Sequence, residues 1–289
     1  MNGTECRPQA PVAEGGTDGT GSPEAGGVRA ASGRLKSDVK LFNAFVLDKL
    51  DRLNDRNKEK PYGKTRFTSG GDAAIIRKMS PLKKIDWSLY FVADTEFAAG
   101  KDLVPLVREA VLGGVTVVQL RAKDLGTRDF LKLASRISEN LGKSGVPLII
   151  NDRMDIALAC AADGIHLGQD DMPPDRARKL LGRSKIIGVT VNTLKEAREA
   201  ERLGADYVGL GPIYATTTKD TDLPIVGPEG IRRMHKLIDI PIIAIGGINP
   251  GNAADVLRAG AAGVAVVSAI LGAADARKAA AELKKRVLI

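Results

Sequence analysis

Gln119, Arg121 and Lys123 recur at every second position at the end of the apolar run Val117-Val118-Gln119-Leu120-Arg121-Ala122-Lys123. On a β-strand that spacing sends all three to one face. An amide, a guanidinium and an ammonium aimed the same way make a cationic wall suited to a polyanion such as pyrophosphate. Other polar groups end apolar runs in the same manner. Asn151-Asp152 follows Leu148-Ile149-Ile150, and Gln169-Asp170-Asp171 follows Gly164-Ile165-His166-Leu167-Gly168. A turn or helix cap is the ordinary use of Asn-Asp after a strand. Asp152 and Asp171 on adjacent strands could instead hold Mg²⁺, which is satisfied by one or two carboxylates when phosphate oxygens and water complete its shell.

Further along, Thr190 and Asn192 end one run, and Gly209-Leu210-Gly211-Pro212-Ile213-Tyr214 leads into Thr216-Thr217-Thr218-Lys219. Three hydroxyls and an ammonium in one loop suit the gripping of a phosphate. Gly246-Gly247 lets backbone N–H groups approach an anion, and Val267-Ser268 adds a hydroxyl. These features form two groups, one cationic and acidic, one neutral and backbone-based, which suggests two phosphorylated small-molecule substrates. His166 has no second histidine at a comparable strand position and reads as a packed residue; His235, among Arg232, Arg233 and Lys236, reads as surface.

Such residues need a scaffold that collects strand ends. From residue 88 the chain alternates apolar strands (88–94, 115–121, 146–151, 164–168, 186–191, 207–211, 241–246, 263–268) with amphipathic helices (102–113, 127–142, 154–162, 174–182, 193–203, 228–238, 251–259, 273–286). Runs such as Pro147-Leu148-Ile149-Ile150 and Ile242-Ile243-Ala244-Ile245 are apolar at consecutive positions, as strands buried on both faces require. Eight such units in about 205 residues predict a (β/α)₈ TIM barrel over 79–289, in preference to a doubly wound open sheet, with the site at the C-terminal ends of the strands.

Residues 1–78 have another texture. Residues 1–34 are rich in Gly, Ala, Thr, Ser and Pro and bury too little to offset the entropy of ordering, so disorder is expected there. Leu41, Phe45, Val46, Leu47, Leu50 and Leu53 then predict an amphipathic helix between Leu35 and Lys60. Met79 stands just before the ordered pattern, so either translation starts there or residues 1–78 form a partner-binding arm.

The net charge of +8 divides evenly, with 14 Lys/Arg against 10 Asp/Glu in residues 1–78 and 29 against 25 in the rest. Aromatic residues are only 4%, and no recognition motif accompanies the charge, so a specific nucleic-acid partner is not expected. Cys6 and Cys160 form no disulfide framework or zinc site, which fits a reducing, cytoplasmic setting. No apolar run reaches the length of a membrane span, and the N-terminus lacks the features of a targeting segment. A homo-oligomer is compatible with this composition.

From about Leu89 to the end, the ordered motifs resemble the thiamine-phosphate synthase family: the 119/121/123 run, Asn151-Asp152, His166 to Asp171, Gly209 to Tyr214 with Thr216 to Lys219, Gly246-Gly247-Ile248 and Val267-Ser268. The resemblance implies a Mg²⁺-dependent transferase of thiamine biosynthesis. It would couple 4-amino-2-methyl-5-hydroxymethylpyrimidine diphosphate to 4-methyl-5-hydroxyethylthiazole phosphate, giving thiamine phosphate and pyrophosphate. It further implies that Gln119, Arg121, Lys123, Asn151 and Lys219 engage the pyrimidine diphosphate, that Asp152 and Asp171 hold Mg²⁺, and that Thr216, Thr218, Gly247, Val267 and Ser268 position the thiazole phosphate. Arg121, Lys123 and Lys219 are the expected catalytic residues. Thr217 belongs to the same gripping loop, and Thr190 stands where family members carry Ser, keeping the hydroxyl. Phe91-Val92-Ala93-Asp94 departs from a first-strand motif that often has Thr before the Asp. A thiazole tautomerase of the same superfamily would not need Arg121, Lys123, Asp152 and Asp171 together; a non-catalytic thiamine-phosphate sensor is the alternative from another class.

Overall fold

The computed structural model describes residues 85–142, 144–216, 218 and 223–288. The expectations for residues 1–78 and for Met79 lie outside them. Eight parallel strands close into a barrel in sequence order: β1 (Leu89–Asp94), β2 (Val117–Arg121), β3 (Leu148–Asn151), β4 (Gly164–Leu167), β5 (Ile186–Val191), β6 (Tyr207–Leu210), β7 (Ile242–Ile245) and β8 (Gly263–Val266), with β1 pairing with β8. This is the expected TIM-barrel topology.

Period-two alternation sorts each strand. Leu89, Phe91 and Ala93 of β1, Val118 and Leu120 of β2, and Leu148 and Ile150 of β3 face the helices, where they pack with side chains such as Val107, Phe130 and Ile137. Tyr90, Val92, Val117, Ile149, Ile186, Tyr207, Ile243 and Ala265 form a separate cluster inside the barrel. Continuing the inward alternation toward the C-terminal ends brings up Asp94, Gln119, Arg121, Asn151, His166 and Thr190, all of which line one cavity. The change from apolar to polar along the inner face is therefore what separates barrel core from site.

The outer helices are α1 (Thr95–Ala98), α2 (Leu103–Leu112), α3 (Thr127–Leu141), α4 (Met154–Ala159), α5 (Pro174–Leu181), α6 (Leu194–Arg202), α7 (Gly227–His235), α8 (Ala253–Arg258), α9 (Ser268–Leu271) and α10 (Ala276–Val287). Side-chain caps start several of them. Asp102 Oδ1 accepts from Val104 N, and Asp275 Oδ1 from Lys278 N. Thr193 Oγ1 accepts from Glu196 N while Glu196 Oε2 accepts from Asn192 N, a variant of the capping box.

Two elements depart from the sequence expectation. The four-residue helices α1 and α9 are too short to show periodicity; α1 exists because Asp94 caps it, accepting from Phe97 N at 3.1 Å. Several strands are also shorter than expected. Gly246 has φ +101°, which ends β7 before it, and Ser268 opens α9 instead of extending β8. Among the described residues, no helix is long and apolar enough to cross a membrane.

One glycine is needed to close this interior. A Cβ on Gly188 of β5 would lie 2.0 Å from Cζ of Tyr207, whose ring is fully buried between β5 and the core. Gly188→Ala is expected to destabilise the protein by about 1–3 kcal/mol, the usual range for overpacking. Urea unfolding with an unchanged m-value checks it.

Candidate functional site

Gln119 and Arg121 of β2 point inward as expected, but the run does not form one continuous cationic wall. Gln119 is buried, and its Nε2 donates to Tyr90 Oη at 2.9 Å. Arg121 Nη1 donates to Asp94 Oδ2 and to Glu96 Oε2, both at 2.6 Å. Burial alone would lower the guanidinium pKa; the Glu96 and Asp94 carboxylates outweigh it and hold the group above its ordinary value. Lys123 lies beyond the strand end, and its Nζ is 3.1 Å from Asp152 Oδ2. The cations are therefore already paired, Arg121 with Asp94 at the end of β1 and Glu96 on α1, and Lys123 with Asp152 in the turn after β3.

Asp152 has φ +60°, a left-handed conformation uncommon outside glycine and more readily adopted by Asp or Asn than by most residues. Its backbone N donates to His166 O at 2.8 Å, which ties the turn after β3 to β4. Asp171 is drawn toward it by the loop after β4, where its Oδ2 accepts from Gly168 N at 2.6 Å. Burial, with the Asp152 carboxyl beside it, pushes the Asp171 pKa above the usual carboxylate value. The two carboxylates predicted from separate strands thus meet, and among the described residues no larger group of metal-ligating side chains stands elsewhere. A divalent cation would relieve this crowding of acidic groups, so the donor set fits the Mg²⁺ expected from the sequence.

Across the cavity lies a second polar region. Thr218 Oγ1 donates to Ser268 Oγ at 3.3 Å, and Thr218 N donates to Thr216 Oγ1 at 3.2 Å. Thr217 and Lys219 lie outside the described residues. The loop after β6 is joined to β7 by Ile213 N to Ile245 O and Tyr214 N to Gly246 O. Gly247, at φ +65°, allows this closeness, because a Cβ there would lie 2.4 Å from Ala215 O. Val267 and Ser268 complete the cavity at the start of α9. These hydroxyls and glycines, uncharged and backbone-rich, share the cavity lining with Arg121, whereas Lys123, Asp152 and Asp171 are not part of that lining.

Several residues outside the expected set belong here. Asp94 closes β1 at the same rim level as Arg121, its register partner, and Glu96 follows on α1. Asp94 carried the same signal as Asn151, a polar residue ending an apolar run. Asn192 gives its Nδ2 and backbone N to Glu196 Oε2, leaving Oδ1 as a buried acceptor without a protein partner beside the cavity. His166 is packed in the barrel as expected: Nδ1 is 2.9 Å from Tyr207 Oη and Nε2 is 2.8 Å from Thr190 Oγ1. Burial lowers its pKa to about 4, so it is neutral near pH 7 and carries one ring proton. His235 is exposed, also as expected.

The thiamine monophosphate synthase family model matches residues 89–270. The chain belongs to this family. Relatives named thiamine-phosphate synthase include one from Chloroflexus aurantiacus, 48% identical over 211 residues, covering 73% of this chain and 97% of that protein. Another, from Syntrophomonas wolfei, is 49% identical over 200 residues, covering 69% of this chain and 96% of its own length. The solved thiamine phosphate pyrophosphorylase of Pyrococcus furiosus is 40% identical with a TM-score of 0.65, over 70% of this chain and 96% of that one. The family match spans all eight strands of the barrel and ends within α9.

Proposed function

We propose that the chain is a thiamine-phosphate synthase that joins 4-amino-2-methyl-5-hydroxymethylpyrimidine diphosphate to 4-methyl-5-hydroxyethylthiazole phosphate. The observation that carries this reading is the pairing of Asp152 with Asp171 beside Lys123, together with a cavity lined both by Arg121 and by hydroxyls and glycines. One site suits a metal-bound diphosphate and the other a monophosphate.

The C–O bond between the pyrimidine methylene and the diphosphate breaks, its electron pair leaving with the diphosphate, and the thiazole nitrogen lone pair forms the new C–N bond. The aminopyrimidine ring delocalises the positive charge that develops, and the thiazole is the nucleophile, so the protein needs neither a Ser/His/Asp nor a Cys/His pair. Its contribution is charge stabilisation and alignment. Asp152 and Asp171 hold Mg²⁺, which when bound neutralises charge on the departing diphosphate. Buried Asp94 keeps the Arg121 guanidinium in place, while the half-exposed Glu96 gives way to a diphosphate oxygen. Lys123, Asn151 and Lys219 add to the same anion site. Gln119 and Thr190 meet the pyrimidine, and Asn192 Oδ1 offers it a further acceptor. Thr216, Thr217 and Thr218 with Gly247, Val267 and Ser268 receive the thiazole phosphate.

A tautomerase acting on one phosphorylated thiazole would leave the acidic and cationic groups without a task. The deciding experiment supplies folded protein with both substrates and Mg²⁺ and follows thiamine phosphate and pyrophosphate in equal amounts. Absence of both products removes the reading.

A further inference from the structure

Between Gly168 and Asp171 the chain leaves β4 and brings a carboxylate to Asp152, in the turn after β3. The last register pair of β4 with β5 is Leu167 opposite Val189. One residue further along β5, the Thr190 carbonyl is met by a side chain: Gln169 Nε2 donates to it at 2.5 Å. A carbonyl oxygen only accepts, so the nitrogen end of the Gln169 amide is the one that faces it. Gln169 is exposed, so this reach to β5 does not come from core packing. The loop is thus held from two sides, at Gln169 by β5 and at Asp171 beside the turn after β3.

Within the loop the Asp171 side chain is set by backbone. Its Oδ2 accepts from Gly168 N at 2.6 Å, and Asp171 N donates back to Gly168 O at 3.4 Å. The approach is close, since a Cβ on Gly168 would lie 3.0 Å from Asp171 Oδ2. The rotation of the carboxylate therefore follows the position of Gly168. That position is fixed by its two neighbours, Leu167 in the β4–β5 ladder and Gln169 on the Thr190 carbonyl. Two carboxylates side by side repel when no cation lies between them, so keeping Asp171 next to Asp152 calls for such a restraint.

We infer that Gln169 is a positioning residue for the divalent cation: anchored on the Thr190 carbonyl, it holds the Gly168–Asp171 turn so that the Asp171 carboxylate stands beside that of Asp152. Gln169 acts through Asp171 and touches neither phosphate. Loss of an outer-shell partner of this kind costs about 10- to 100-fold in metal affinity. The inference rests on the reading of Asp152 and Asp171 as the Mg²⁺ pair.

The test is calorimetric titration with pyrophosphate, once with excess Mg²⁺ and once in EDTA, so that the gain in affinity from the cation is read apart from the anion contacts of Arg121 and Lys123. Wild type is expected to bind more tightly with Mg²⁺. Gln169→Met keeps the length of the side chain without its donor, and is expected to cut that gain about tenfold while leaving the Kd in EDTA and the Kd for thiazole phosphate unchanged. Gln169→Glu decides the sign. An added negative charge by itself attracts a cation and would enlarge the gain, whereas a carboxylate set against the Thr190 carbonyl breaks the anchor and shrinks it. Gln169→Met with the full wild-type gain, or Gln169→Glu with a larger one, overturns the positioning role alone. A Kd for thiazole phosphate raised by the same factor overturns it too, since that is the mark of general loosening. Wild type that binds pyrophosphate no better with Mg²⁺ removes the metal reading and this inference together.

Discussion

Replacing Arg121 with alanine is expected to lower kcat/KM by on the order of 10²-fold or more, comparable to deleting one donor that stabilises transition-state charge. Arg121 combines two properties that Lys123 lacks. Its guanidinium is mostly buried and anchored to Asp94, which itself is only 5% exposed and also caps α1. Lys123 is half-exposed, so its ion pair with Asp152 is screened by water and contributes little to stability. The alanine variant leaves Asp94 without its cation, and the expected loss of stability is about 1–3 kcal/mol, the usual penalty for a buried polar group deprived of its partner. The fold persists, since the apolar layers on both faces of β1 and β2 are untouched. Arg121→Lys is the informative control. Both carboxylates are met by one guanidinium nitrogen, Nη1, which leaves the other N–H groups of the planar fork for an oxyanion as an ammonium cannot, so recovery of most of the lost turnover by lysine would show that charge alone suffices. Single-turnover rates with saturating Mg²⁺ and thiazole phosphate check both outcomes, and near-normal turnover of Arg121→Ala would contradict the assigned role.

The residues that ended apolar runs were readable because a barrel turns strand order into a ring. Asp152 and Asp171 are 19 positions apart in the chain, yet strand-end logic alone placed them side by side. Partners were harder to read than positions. Asp94 and Arg121 meet through the β1–β2 register, in which Asp94 lies opposite Arg121, and a one-residue slip would have sent the arginine to the helix face. Sequence patterning gives the alternation of each strand but not that relative shift, so Arg121 read as an open cation when it is in fact held by two carboxylates. The inner tyrosines were missed for a related reason. Tyr90 and Tyr207 are separated by 117 positions, and on their own strands each reads as one more apolar residue. Their hydroxyl contact exists only because β1 and β6 face each other across the barrel and Gly188 leaves room for a ring. Helix α1, four residues capped by Asp94, carried no periodic signal at all.

Asp152→Asn, which keeps one side-chain oxygen but removes the negative charge, is expected to raise the Mg²⁺ concentration needed for half-maximal activity by on the order of 10- to 100-fold, the size of loss already seen when an outer-shell partner of a metal ligand is removed. Asparagine is the right probe because position 152 has φ +60°, which Asn tolerates nearly as well as Asp, whereas alanine would add backbone strain to the electrostatic loss. The substitution also takes a negative charge away from Asp171, whose pKa is raised by burial and by this neighbour. In metal-free protein it removes a repulsion and only a weak surface ion pair with Lys123, so the Tm without Mg²⁺ should not fall. With Mg²⁺ and pyrophosphate present the order reverses. Wild type gains stability by mass action as the ligands occupy the folded state, and the variant gains far less at the same concentrations. Activity titrated against Mg²⁺, paired with thermal melts in the presence and absence of Mg²⁺ and pyrophosphate, separates a ligand from a scaffold residue. A variant with the wild-type Mg²⁺ titration, or one whose metal-free Tm drops by several degrees, would place Asp152 in the structural frame and leave the metal to other groups. A lowered metal-free stability would mean that the strained backbone at 152 depends on the carboxylate itself. The two-carboxylate arrangement predicts the opposite, because the strain is supported by the Asp152 N–H to His166 carbonyl bond, which asparagine retains.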